Sequence, residues 1–288
     1  MTGASSGIGA ALAELCAMSG ARVIATARSA DALTALAARC RDAGYPGEVI
    51  PLALDLVEAA ESDATAAAAV AAALAAIAPS VAAQNIINDK RAGNNIPLTP
   101  RFPTPAPPTP EIHCVIHCAG VSVRAHALQS NLAMEKRVMA LNLWAPVALT
   151  RALAAAGALR PGSGVLWVSS VQAKLALPLR SAYCASKHAC HGYAEGLRYE
   201  LAQRAVSLTV ANPGYVATNL SRNALVEVRH SWLHNYTTTV FVLLFLSGEL
   251  ARDENQIFVY FGSLLLYSGF TFNYNLYNRV VNIILLFN

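Results

Sequence analysis

The chain has 288 residues, enough for one or two domains with a sizeable buried core. Charged residues make up only 13% and apolar residues 55%, a balance that suits an α/β fold whose strands are buried on both faces. The net charge of +4 comes from scattered Lys and Arg residues with no basic block, which argues against nucleic acid as a partner.

In chain order, Gly7 to Ser19 reads as a helix with Ala10, Leu12, Leu15 and Cys16 on its apolar stripe. It is opened by Thr2-Gly3-Ala4-Ser5-Ser6-Gly7-Ile8-Gly9. Gly3 permits a tight turn, Gly7 lets backbone N–H groups approach a pyrophosphate, and Gly9 lets helix and strand pack closely. The helix N-terminus adds partial positive charge where phosphates would sit. Ala21 to Ala27 is a buried strand. An NAD-selective site wants an acidic side chain at the end of that strand to hold ribose hydroxyls. Here Ala27 and Arg28 follow instead: Ala removes the repulsion, and a guanidinium can grip a 2′-phosphate in two places, so NADP(H) is favoured over NAD(H). Ser29 caps a helix to about Arg41, Val49 to Leu54 is a strand, and Ala59 to Ala78 is a helix by propensity.

Residues 85–110 change character, with Asn, Pro and Thr dominating in NNIPLTPRFPTPAPPTP. Proline removes backbone donors and forces its predecessor out of helix, so this insertion reads as extended or disordered. Ile112 to Cys118 is the next strand. Met134 to Leu159 is a long helix with an expected kink at Pro146. Gly164 to Ser169 is a strand, Ala182 to Gln203 a helix and Val206 to Ala211 a strand. Strands alternating with helices of this length predict a Rossmann-type doubly wound parallel sheet over residues 1–225.

Two of these elements carry the chemistry. Tyr183 and Lys187 are four apart on one helix and share a face. An ammonium beside the phenol stabilises the tyrosinate, so Tyr183 can give a proton to a carbonyl oxygen or take one from an alcohol. Lys187 also has the reach to meet a nicotinamide ribose. Ser170 ends the preceding strand, where a hydroxyl can hold the substrate oxygen. Asn142 lies mid-helix, a poor local choice of the kind that marks function.

These runs resemble the short-chain dehydrogenase/reductase family. The matching segments are TGASSGIG, HCAG at His117–Gly120, Asn142, Ser170 with YCASK at Tyr183–Lys187, and PGYVAT at Pro213–Thr218. Within the family, KRVMALNLWAPVALTRAL, VSSVQAKLALPLRSAYCASKHA and PGYVATNLSRNAL are most similar to the member-seven group, the 7B type especially. The resemblance implies an oxidoreductase acting on CH–OH groups, with Tyr183 as acid/base, Lys187 as its activator, Ser170 as oxyanion partner and Asn142 as holder of a relay water. It implies a cofactor site drawn from Gly3, Ser5, Ser6, Gly7, Ile8, Gly9, Arg28, Asp55, Ala119, Gly120, Tyr183, Lys187, Pro213, Gly214, Val216 and Thr218. Asp55 would sit by the adenine and Thr218 would help hold the nicotinamide end. The implied partner is a small to medium, lipophilic carbonyl or alcohol; a homo-oligomer stays open.

The departures are specific. The usual Asn-Asn-Ala-Gly reads His117-Cys118-Ala119-Gly120, the first strand is missing apart from Met1, and the Pro-rich stretch has no family counterpart. From about Val226 Phe, Tyr, Asn, Leu and Ile take over, so 226–288 forms an atypical apolar segment. Gln256 to Asn278 has no charged residue and is long enough to cross a bilayer, while Thr237 to Leu246 is too short. A membrane-bound tail and a non-native, aggregation-prone tail are both open readings.

Six cysteines without paired spacing point to reduced thiols in an intracellular protein, with the glycine loop beginning too early for a secretory leader. Such a protein would be cytoplasmic or associated with the endoplasmic reticulum or another organelle membrane. His113, Cys114, His117 and Cys118 have the residue types of a metal site, but along a strand the two histidines face one way and the two cysteines the other, so no metal site is expected. The competing readings are a catalytically inactive nucleotide-binding or membrane-tethered relative, and a defective gene product with foreign sequence at 85–110 and after Leu225.

Overall fold

The computed structural model describes residues 1–77, 110–218, 220, 223–226 and 246–247. The Pro-rich residues up to 109 and the apolar segment 256–278 lie outside the described residues.

Apolar β-branched runs with turns at each end build the sheet. Its strands are β1 (Arg22–Ala27), β2 (Glu48–Ala53), β3 (Cys114–His117), β5 (Gly164–Val168) and β6 (Ser207–Ala211), with the short β4 (Val123–Arg124) beside them. β1 pairs with β2, β3 with β5 and β5 with β6, all parallel. The predicted strands therefore hold to within one or two residues. Between β1 and β3 lies the Met1–Thr2 stub. Thr2 bridges both Thr26 and His117, Thr26 N donates to Met1 O at 2.8 Å, and Thr2 N donates to Ile116 O at 2.9 Å. The stub thus occupies one end of the central slot where the family's first strand is expected, and it joins the two halves of the sheet.

Alternation along the strands serves both faces. On one face, α1 (Gly7–Met18) and α2 (Ala30–Asp42) bury Leu12, Leu15, Leu33 and Leu36 against Val23, Ala25, Ile116 and Leu166. On the other, α4 (Asp63–Ile77), α6 (Ala145–Ala155) and α7 (Ser181–Ala202) cover Val115, Val165, Trp167 and Val210. This is the doubly wound arrangement.

Two features correct the sequence reading, and a third adds to it. The helix expected over 59–78 starts only at Asp63: a separate short α3 (Leu56–Ala59) precedes it, capped by Asp55, whose Oδ1 accepts from Val57 N at 2.8 Å, and α4 starts afresh after the mutual Ser62–Thr65 cap. The long helix expected to kink at Pro146 instead changes winding before it. α5 (Leu132–Met139) runs into a π turn over Ala140–Trp144, and α6 follows. The tail after Leu225 also contributes to the sheets. β7 (Leu225–Val226) pairs parallel with β4, and β8 (Leu246–Ser247) pairs antiparallel with the end of β6. Among the described residues one helix, Leu132–Ala155, is long and apolar enough to cross a membrane, and it is mostly buried in this fold.

Candidate active site

The glycine loop is held by close approach. Gly3 has φ +69°, and a Cβ on it would lie 2.6 Å from Ala119 N; a Cβ on Gly9 would strike the Gly3 carbonyl oxygen. Thr2 Oγ1 accepts from Ala119 N at 3.3 Å, so the loop is pinned to the Ala119–Gly120 turn after β3. Gly7 has φ +57°, and a Cβ there would meet Thr218 Cγ2 at 3.1 Å, which brings the Pro213–Thr218 segment over the start of α1. Ile8 packs on the Leu12, Leu15 and Ile116 cluster. Ser6 is the N-cap, but its side chain makes no cap bond and the first turn holds no acidic residue. The N–H groups at that end are available to an anion.

At the end of β1, Ala27 is buried and Arg28 is exposed. Asp55 stands at the end of β2 with one carboxylate oxygen committed to the α3 cap.

The π turn, β5 and α7 bring the remaining candidates together. Tyr183 and Lys187 are both buried on α7, and Lys187 Nζ lies 5.7 Å from the Tyr183 ring centroid. Lys187 Nζ donates to Val168 O at 3.1 Å, two residues before Ser170. Ser170 is buried, and its Oγ accepts from Gln172 N at 3.2 Å. A Cβ on Gly120 would lie 3.3 Å from Asn142 Oδ1 and 3.7 Å from Lys187 Nζ, so Gly120, Asn142 and Lys187 share one corner.

Both donors of the Asn142 amide are engaged. Its Oδ1 accepts from Val121 N at 2.8 Å, and its Nδ2 donates to Val121 O at 3.0 Å and Ser186 Oγ at 2.9 Å. Ser186 Oγ in turn donates to Tyr183 O at 2.7 Å. The Asn142 carbonyl, in the π turn, accepts from the Cys190 thiol at 3.1 Å. A relay water would have to donate to Asn142, at its backbone carbonyl or at the second lone pair of Oδ1, since the amide has no spare donor.

Several supporting residues escaped the sequence reading. His191 Nε2 bonds Asn212 Oδ1 at 2.7 Å, tying α7 to the residue before Pro213-Gly214. Arg180, just ahead of α7, donates to Ser122 Oγ and to Val123 O. The Arg180 signal was local, a cation three residues before Tyr183; the His191 pairing has no local signal. Of the metal-like residues, His117 faces Thr150 on α6 and its neighbour Cys118 abuts Gly9 on α1. Among the described residues no group of three His, Cys, Asp or Glu side chains could hold a metal.

The sequence model of the short chain dehydrogenase family matches residues 1–77 and 108–227. The chain is a short-chain dehydrogenase/reductase. A Drosophila melanogaster protein named dehydrogenase/reductase SDR family protein 7-like is 32% identical over 229 residues, covering 78% of this chain and 59% of that protein. A Bos taurus dehydrogenase/reductase SDR family member 7B is 44% identical over 114 residues, covering 40% and 35%. These relatives place the short-chain dehydrogenase/reductase beside the 7B-type group, although it spans only part of their length. Among solved structures, a metagenomic short-chain oxidoreductase in complex with NADP is 28% identical with a TM-score of 0.56, covering 75% of this chain and 80% of that one. A family member from Burkholderia phymatum in complex with NAD is 23% identical with a TM-score of 0.60, covering 83% and 72%. That second likeness shows the α/β Rossmann-type fold alone.

Proposed function

We propose that the chain is an NADP(H)-dependent oxidoreductase that interconverts a carbonyl and an alcohol, with Tyr183 as the proton donor and acceptor. The observation that carries this reading is the placement of Lys187 Nζ 5.7 Å from the Tyr183 ring while it is anchored on Val168 O, at the end of the strand that delivers Ser170. An ammonium held there stabilises negative charge on the phenolate oxygen. Tyr183 then protonates a carbonyl oxygen in the reducing direction and takes the proton back in the other. Ser170 supplies a hydroxyl to the same oxygen. Asn142, through Ser186, fixes the backbone of Tyr183.

The cradle fits a dinucleotide. Gly3, Gly7 and Gly9 let the loop, the Ala119 backbone and Thr218 approach more closely than a Cβ would allow, and Ser5, Ser6 and Ile8 complete the uncapped start of α1 for the pyrophosphate. Gly120 lies beside Lys187 and Thr218 lies against Gly7, so Ala119, Gly120, Pro213, Gly214, Val216 and Thr218 are the further residues assigned to the cofactor. Asp55 keeps one oxygen for the adenine end. When bound, a nicotinamide supplies or takes the hydride. Arg28, exposed beside a small Ala27, favours a 2′-phosphate over a bare ribose. NADP in the 28% identical neighbour fits this preference. The substrate is expected to be a small to medium, lipophilic carbonyl or alcohol.

The test is fluorescence titration of the full chain with NADPH and NADH, followed by turnover on a panel of carbonyl compounds. NADPH binding with turnover lost in Tyr183→Phe supports the reading. Cofactor binding with no turnover on any member of the panel would favour a nucleotide-binding protein that does no chemistry.

A further inference from the structure

His117 stands where the family carries asparagine, and its ring is 4% exposed in the sheet. It is registered directly opposite Trp167 across β3 and β5, with the rings edge to face at 6.1 Å. Ser169 is two residues beyond Trp167 and so lies on the same sheet face. Three polar atoms here, His117 Nδ1, Trp167 Nε1 and Ser169 Oγ, are sealed from solvent and have no partner among the described residues. All three residues line one small cavity between the sheet and the α6–α7 helices, which Asn142, Pro146 and Cys190 also line. The cavity volume is about 10 Å³, which is room for one water.

The hydrogen-bond roles are fixed by neighbours. Thr150 Oγ donates to Pro146 O at 2.7 Å, so at 3.0 Å from His117 Nε2 it must accept. Nε2 therefore carries the ring proton. Burial pushes the imidazole down to about 3, so it is neutral at working pH, and Nδ1 is a bare acceptor. The Trp167 indole is a donor only, and the Ser169 hydroxyl is both. One acceptor, one donor and one amphoteric group are the complement of a single water, and buried waters make about three such bonds.

We propose that this cavity is a built hydration site: one ordered water accepts from Trp167 Nε1–H, donates to His117 Nδ1 and exchanges a bond with Ser169 Oγ. The water locks β3 to β5 directly behind Asn142 and beneath the strand end that carries Ser170. It does not depend on the chain being an active enzyme.

The test uses the full chain labelled with 15N in tryptophan and histidine. The Trp167 indole signal is identified by its loss in Trp167→Phe. A cross-peak between that indole proton and a long-lived water is expected, together with nitrogen shifts showing His117 protonated at Nε2 alone. A crystal structure of the unsubstituted chain at water-resolving resolution gives a second readout that needs no variant, with a density peak expected within hydrogen-bond distance of Trp167 Nε1. A dry cavity, or a His117 ring protonated at Nδ1, overturns the proposal.

Discussion

Lys187 Nζ lies 5.7 Å from the centroid of the Tyr183 ring and is tethered to β5 through the Val168 carbonyl. The tether matters because lysine has a long, flexible stem whose position would otherwise vary. It converts a pair that merely shares a helix face into one with a fixed geometry beside Ser170.

That geometry makes Tyr183→Phe the sharpest test of the chemistry. The ring keeps its packing against Val123, Ala125 and Val138 and loses only the hydroxyl. Turnover should fall by about 100- to 10,000-fold, while the Kd for NADPH changes little. Activity within a few-fold of the unsubstituted chain would remove Tyr183 from its assigned role.

Cofactor choice should follow Arg28. It is exposed at the end of β1, beside a buried Ala27 and the Ser29 cap of α2, so replacing it leaves the fold intact. Arg28→Ala should weaken NADPH roughly 10-fold or more, the scale of a charge-assisted bidentate contact, and leave NADH nearly unchanged. Equal weakening of both in parallel titrations would show that Arg28 does not read the 2′-phosphate.

His117 predicts an acid-sensitive fold. Burial, reinforced by the nearby Met1 ammonium, pushes its imidazole down to about 3 from the ordinary 6.5. Groups facing it from α6 and β5, Thr150 and Trp167, are uncharged, as are Asn142 and Cys190 behind it. Between pH 6.5 and 3 the unfolded chain binds a proton that the folded chain does not, so stability is full above 6.5 and falls as pH drops. The slope from this residue approaches about 1.4 kcal/mol per pH unit. His117→Asn should flatten the denaturant-midpoint profile across that window relative to the unsubstituted chain. An unchanged slope would mean that the carboxylates alone set it.

The sheet, the helices and the four candidate residues Asn142, Ser170, Tyr183 and Lys187 were legible because each rests on local periodicity or on a motif of fixed spacing. Gly3, Gly7 and Gly9 were legible for the same reason: the backbone conformation and close contacts they allow are encoded by residue type. The π turn around Asn142 was not. Local propensity points to Pro146 as the irregular residue, whereas the extra winding accompanies bonds from Asn142 to Val121 and Ser186, which lie 21 and 44 residues away. α3 escaped because four residues are too few to show a period, and the break after it, Ala60-Glu61-Ser62, carries no proline or glycine to mark it. β7 and β8 escaped because two-residue pairings leave no period to read. The His191–Asn212 bond links two motifs whose proximity exists only once α7 has packed on β6.

The final prediction concerns that π turn. Asn142 and Ser186 form one chain of bonds from Val121 to the Tyr183 carbonyl, and both side chains are buried. Asn142→Ala strips partners from Val121 N–H and from Ser186, and each buried group left unsatisfied costs about 1–3 kcal/mol. A loss of roughly 2–4 kcal/mol is expected, or a Tm lower by about 5–15 °C for a chain of this size. Ser186→Ala should cost less, because the Val121 bonds survive. Since the two substitutions break one shared bond, the double variant should be more stable than the sum of the single losses predicts, by about 0.5–3 kcal/mol. The cycle is read from denaturant unfolding of the four proteins, with kcat followed alongside. Strict additivity would mean that Asn142 and Ser186 act separately. The link from the π turn to the Tyr183 backbone would then carry no energy.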